Sequence, residues 1–156
     1  MEPAALIRIL IFETIQLAVS AYAIARGGAP ERAIGGMLLI AALATLLIPI
    51  DRLNPYWTIE WNRLSIDLLL LAGLLGVALR ANRFWPLWVA ALQLLTIGVH
   101  GVRLYDPDVL PVVYARLTSQ IAYPICAVVL IGTLRFRRRR SRHAARPERD
   151  WAPLRW

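Results

Sequence analysis

The sequence predicts an all-α integral membrane protein, with five transmembrane helices in an antiparallel bundle, the N-terminus outside and the C-terminus in the cytoplasm. Apolar residues make up 58% of the 156-residue chain, above the roughly 45–50% that is usual in soluble domains. They form five runs, each near the ~20 residues that a helix needs to cross a bilayer. Arginine is concentrated in alternate connections between these runs, which predicts a defined orientation.

The five runs are predicted as helices over residues 4–25, 33–50, 62–80, 84–104 and 110–134. Glu13 and Gln16 interrupt the first run, so we expect a retained helix rather than a cleaved signal peptide. The connections are short and contain turn residues such as Gly27 and Gly28, which favours antiparallel neighbours. Residues 1–134 are therefore predicted as one transmembrane bundle and residues 135–156 as an arginine-rich cytoplasmic tail.

The distribution of charge predicts the orientation of the bundle. Arg26 and Arg32 lie in the first connection, Arg80 and Arg83 in the third, and a dense arginine run in the tail, whereas the fourth connection is acidic. The positive-inside rule places the arginine-rich connections in the cytoplasm. All eighteen basic residues are arginine, a bias typical of a GC-rich genome, and we expect a multi-pass protein of a bacterial plasma or inner membrane.

The fourth helix carries a polar stripe. Gln93, Thr96, His100 and Arg103 recur at helical spacing and share one face of that helix. A face that touches lipid would not carry these side chains, because polar and charged groups are costly inside a bilayer. We therefore expect this face to point into the protein or into a wet cavity.

A second stripe on the fifth helix and a carboxylate on the first complete a predicted site. The short fourth connection lets the stripes of helices 4 and 5 face each other, and Glu13 is expected near the membrane midplane. We predict an outward-facing polar pocket between helices 4 and 5, with an excess of positive charge that a polar-headed or anionic ligand would balance. The candidate ligand-binding residues are Glu13, Gln93, His100, Arg103, Arg116, Gln120 and Tyr123. The alternative is a polar network that only holds the helices together.

Two further groups of charges have predicted roles. Arg63 and Asp67 are four residues apart on the third helix, a spacing that predicts a structural ion pair. The tail arginines are predicted to contact anionic lipid at the cytoplasmic face; they are Arg135, Arg137, Arg138, Arg139 and Arg140. Nucleic acid is disfavoured as a partner, because the role of these arginines in fixing the membrane topology already accounts for their clustering.

The sequence offers little for catalysis or cofactor binding. Ser65, Ser119 and Cys126 have no identified base, so we assign no catalytic residue and disfavour an enzyme. A single cysteine and two histidines cannot build a structural zinc site. His100 is the only histidine within the predicted membrane segments, which disfavours a haem held by two histidines of one chain. A quinone fits the residue types better, although no cofactor is required.

Three functions remain open at this level. The first is an accessory or scaffolding component with the outward-facing polar pocket, acting with a protein partner or as a homo-oligomer. The second is a lipid- or quinone-binding membrane protein. The third is a small-solute transporter that acts as an oligomer, which is disfavoured because polar residues become rare in the inner half of the bundle, whereas a conduction path needs them throughout.

Overall fold

Within the residues that it describes, the computed structural model has five α-helices, α1 (Pro3–Arg26), α2 (Ala29–Leu47), α3 (Trp61–Arg80), α4 (Trp85–Tyr105) and α5 (Pro111–Arg142). The structure describes residues 3–47, 61–105, 111–142 and 150–151, with their side chains except those of residues 3–6, 103, 104, 111–119 and 142. One isolated antiparallel bridge joins Ala81 to Trp151. All five helices contain segments long and apolar enough to cross a membrane. The predicted all-helical class and helix number are confirmed.

The five helices close into a ring. Each helix packs against its neighbours in the chain, α5 also packs against α1, and a smaller contact joins α2 to α5. Every helix contributes to the buried core, which contains Val19, Ala23, Ile34, Leu38, Leu74, Val77, Val89, Ala90, Ile125, Cys126 and Val129. Close approach of α4 and α5 depends on Gly132, where a Cβ atom would lie only 2.7 Å from Cε2 of Trp85.

The outer surface of the ring is strongly apolar. Leu47, Leu69 and Leu79 are 83%, 74% and 78% exposed, and many other large apolar side chains are also exposed. A water-soluble monomer rarely exposes apolar patches of this extent. Burial of such side chains in lipid would remove them from water without requiring a protein partner.

The first turn of α2 begins at Ala29, four residues before its predicted start at Ala33. The Gly28 carbonyl accepts a hydrogen bond from Arg32 N at 2.9 Å, and Glu31 Oε2 accepts one from Gly28 N at 3.1 Å. Glu31 is the third residue of α2, and the bond between its side chain and the Gly28 N–H is one of the two hydrogen bonds of a capping box. Pro30 is tolerated in the first turn because its missing N–H would have no helical partner there.

At the other end of the chain, α5 continues to Arg142, beyond its predicted end at Leu134. The arginine run ends the apolar segment but does not end the helix, because arginine has a high intrinsic helix propensity. Pro124 lies within α5. The first part of the predicted tail is therefore helical and continuous with the bundle.

Candidate functional site

The polar stripe of α4 faces the interior, as predicted, at the three positions whose side chains are described. Gln93, Thr96 and His100 are 3%, 9% and 4% exposed. Thr96 Oγ1 donates a hydrogen bond to the carbonyl of Leu92 in its own helix. Gln93 and His100 instead reach a neighbouring helix. The side chain of Arg103 lies outside the described residues.

Asp67 of α3 is the acceptor that Gln93 and His100 share. Gln93 Nε2 donates to Asp67 Oδ1 at 2.9 Å, and His100 Nε2 lies 3.1 Å from Asp67 Oδ2. With its hydrogen on Nε2, the imidazole donates to the carboxylate. We call Asp67, Gln93 and His100 the polar cluster. It joins α3 to α4, and both carboxylate oxygens of Asp67 accept hydrogen bonds within it.

The other predicted pocket residues are distributed over different surfaces. Gln120 is exposed, and the Tyr123 ring makes an edge-to-face contact with Phe12 of α1 at a centroid distance of 5.2 Å. The side chain of Arg116 lies outside the described residues. The structure therefore brings Gln93 and His100 together with Asp67, while Tyr123 packs against α1.

Glu13 lies on α1 and is partly buried. Its Oε2 atom is buried and has no hydrogen-bond partner within the described part of the chain. Among the described charged groups, the guanidinium of Arg63 interacts electrostatically with the Glu13 carboxyl group. The ion pair between Arg63 and Asp67 stays a prediction.

A second group of charges, which the sequence did not suggest as a site, lies where several helix ends meet. Arg83, in the connection between α3 and α4, forms ion pairs with Glu31 and with Asp150, where Nη2 and Oδ1 are 2.6 Å apart. We call Glu31, Arg83 and Asp150 the charge cluster. The Arg83 and Glu31 side chains are 4% and 0% exposed, and the Arg83 guanidinium lies 4.6 Å from the centroid of the Phe136 ring.

Backbone contacts hold Asp150 in the charge cluster. Its Oδ2 accepts a hydrogen bond from Ala29 N at 3.0 Å, and its carbonyl accepts one from Asn82 N at 3.1 Å. The bridge between Ala81 and Trp151 lies next to these contacts. Part of the predicted tail is thus bound to the α1–α2 turn and to the connection between α3 and α4.

The arginine run at the end of α5 is largely exposed. Arg137 is anchored within the protein, because its Nη1 donates to the Tyr22 hydroxyl at 2.5 Å and its guanidinium lies 5.7 Å from the Tyr22 ring centroid. Arg135, Arg138 and Arg140 are exposed. Contact of this run with anionic lipid stays a prediction.

Among the residues that the structure describes, no group of three or more His, Cys, Asp or Glu side chains could hold a metal ion. Cys126 is a buried free thiol. Comparisons of the chain with protein-family models, with curated proteins and with solved structures found no match.

The sequence contains a local signal for only one part of the charge cluster, the start of α2. Pro30 and Glu31 together mark the first turn of a helix, which could have located the start of α2 from sequence. Nothing in the sequence pattern links Arg83 to Asp150, because 67 positions separate them.

Proposed function

We propose that the protein is a small multi-pass membrane protein with an accessory or scaffolding role, whose helices cross the bilayer antiparallel with the C-terminus in the cytoplasm. The orientation follows from the arginine-rich connections and the arginine run of α5. The charge cluster brings together the α1–α2 turn, the α3–α4 connection and Asp150. These contacts between alternate connections support helix directions that alternate.

The polar cluster is the observation that supports the scaffolding role, because contacts within the protein account for side chains that were predicted to line a ligand pocket. Gln93 and His100 are buried and both bond to the Asp67 carboxylate. Hydrogen bonds between helices stabilise a membrane bundle, by about 0.6 kcal/mol each on average. The stripe that predicted a ligand pocket is therefore accounted for, in part, by contacts that hold α3 against α4.

Native mass spectrometry of the full chain released from membranes in mild detergent tests this proposal. We expect the bare protein or the protein with stoichiometric partner chains, and no bound non-protein mass that depends on His100. A discrete non-protein mass that is lost in His100→Phe would overturn the scaffolding role. Leu94→Phe is the matched control, since Leu94 lies on α4 and is exposed, so that the same aromatic side chain is introduced outside the polar cluster.

One observation favours a second candidate, binding of a quinone or another polar-headed lipid. Glu13 Oε2 is buried without a hydrogen bond among the described residues, and buried polar atoms are usually satisfied by a partner, a water molecule or a ligand. Organic extraction of purified protein followed by mass spectrometry tests this candidate. A stoichiometric quinone or lipid that is lost in Glu13→Leu and retained in Thr14→Leu supports it. Thr14 is an exposed neighbour whose hydroxyl, among the described residues, donates to the Leu10 carbonyl of its own helix.

A further inference from the structure

A pocket of about 270 Å³ opens beside the charge cluster. Its walls are the α1–α2 turn at residues 27–29, Arg32 of α2, Phe136 and Arg140 of α5, and Asp150. Two guanidinium groups and one aromatic ring therefore border a single space at the end of the bundle. The pocket combines positive charge with an apolar wall, the chemistry that suits an anionic group attached to an organic molecule.

Among the described residues, Arg32 and Arg140 keep guanidinium N–H groups that no hydrogen-bond acceptor engages. Arg32 Nε donates to the Gly27 carbonyl at 3.1 Å, which orients its side chain. Among the described residues, neither Arg32 nor Arg140 forms an ion pair with a carboxylate. Arg137, one turn before Arg140, differs because it bonds to the Tyr22 hydroxyl outside the pocket.

An anionic group of the chain itself already binds at the edge of this pocket. The Asp150 carboxylate accepts hydrogen bonds from Ala29 N at 3.0 Å and from Arg83 Nη2 at 2.6 Å, and its side chain remains 29% exposed. Arginine donors that bind a carboxylate also bind phosphate oxygens with similar geometry. Asp150 is therefore an internal anion next to two further guanidinium groups.

We propose that this pocket binds a phosphate group, supplied by the headgroup of an anionic phospholipid, and that the Asp150 carboxylate competes with it. The inference rests on the proposed membrane orientation, which places this end of the bundle at the cytoplasmic surface. Arg32 and Arg140 bind the phosphate oxygens, and Phe136 forms the apolar wall beside the lipid backbone. A phosphate can enter fully when Asp150 withdraws from Ala29 and Arg83.

The test is native mass spectrometry of the full chain in mild detergent, titrated with short-chain phosphatidylglycerol or phosphatidylcholine. We expect the anionic lipid to bind more tightly. Each arginine contributes about a fivefold factor in affinity, so the double variant Arg32→Gln, Arg140→Gln loses about 25-fold. Asp150→Asn removes the competing charge and strengthens binding by about fivefold on the same scale.

The double variant Arg135→Gln, Arg138→Gln is the matched control, because it removes the same charge from exposed positions on α5. We expect it to lose no more than about threefold, because neither Arg135 nor Arg138 lines the pocket and a charge outside the binding site acts on the bound headgroup only through solvent, which screens it. An equal loss in both double variants would overturn the pocket and assign lipid binding to overall charge. Equal affinity of wild type for the two lipids would overturn it as well.

Titration with inorganic phosphate alone separates the two sources of the phosphate group. Binding of the lipid without binding of the free ion supports the headgroup. Binding of the free ion, with the same dependence on Arg32 and Arg140 and no preference for anionic lipid, would overturn the lipid source. Each of these failures leaves the scaffolding role intact, because that role is tested at His100 and Leu94.

Discussion

The polar cluster and the charge cluster hold helices together by different means. In the polar cluster, one carboxylate of α3 accepts hydrogen bonds from an amide and an imidazole of α4. In the charge cluster, a guanidinium with 4% exposure lies between two carboxylates that belong to distant parts of the chain. The first links two neighbouring helices, whereas the second links the α1–α2 turn, the α3–α4 connection and the residues after α5.

In the proposed membrane orientation, we expect this difference to follow the cost of charge at each depth of the bilayer. A charged side chain costs about 2.5 kcal/mol or more at the bilayer centre, so we expect few charged groups within the bundle, each of them with hydrogen-bond partners. Near the headgroups, water and lipid charges lower that cost and a network of full charges is tolerated. Among the described residues, Arg83 forms its two ion pairs where helices end, whereas Gln93 and His100 contact Asp67 within the bundle.

Arg83→Met is expected to give the largest loss of stability. It leaves Glu31, which is fully buried, without its ion-pair partner, and breaking a buried pair in this way costs about 3–5 kcal/mol. Denaturation of the full chain in detergent micelles measures the loss, with the reaction of the single cysteine, Cys126, as the signal because its thiol is buried in the folded protein.

Arg80→Met is the control for that loss. Arg80 lies in the last turn of α3 and is exposed, and we expect its replacement to change the free energy of unfolding by no more than about 0.5 kcal/mol. Equal losses for Arg80→Met and Arg83→Met would show that the charge cluster contributes nothing beyond exposed charge.

Gly28→Ala is expected to give the next largest effect, because the charge cluster packs closely against the backbone. A Cβ atom at this position would lie 2.9 Å from Asp150 Oδ1 and 3.0 Å from the Phe136 ring. Overpacking of this kind costs about 1–3 kcal/mol. The same denaturation measurement tests it.

Gly36→Ala, at a glycine within α2, provides the opposite expectation. A Cβ atom there meets nothing within 4 Å, so alanine should stabilise the protein by up to about 1 kcal/mol through its better helix propensity. If both alanine variants shifted stability in the same direction, close packing at Gly28 would not be the cause.

Asp67→Leu is expected to give the smallest loss of the three. It removes the acceptor of two side-chain hydrogen bonds between α3 and α4, and at about 0.6 kcal/mol each the loss is near 1 kcal/mol. Ser65→Ala is the control, because among the described residues the Ser65 hydroxyl donates to the Trp61 carbonyl of the same helix. A loss larger than that of Arg83→Met would reverse the ranking of the two clusters.

Sequence reasoning located the helices and one face of α4, because both depend on local patterns. A run of about twenty apolar residues predicts a spanning helix wherever it occurs, and the periodicity of Gln93, Thr96 and His100 predicts a buried face. The partner of that face was not predictable in the same way. Whether His100 meets Asp67 or a residue of α5 depends on how each helix is rotated, which the spacing within one helix does not determine.

Local sequence patterns of this kind do not predict the charge cluster. Arg83 and Glu31 are 52 positions apart, and each reads as one more charged residue of a connection. Asp150 follows an arginine run that predicts a tail, and its return to the bundle depends on contacts with Ala29 and Asn82 that the sequence does not encode locally.

The length of α5 has a mechanical consequence. Its 32 residues extend over about 48 Å at 1.5 Å per residue, more than the ~30 Å hydrocarbon thickness of a bilayer. In the proposed orientation, movement of α5 toward the outside would draw its arginine run into hydrocarbon. Because the Arg83 guanidinium contacts the Phe136 ring near the end of α5, we expect α5 to fix the depth of the whole bundle in the membrane.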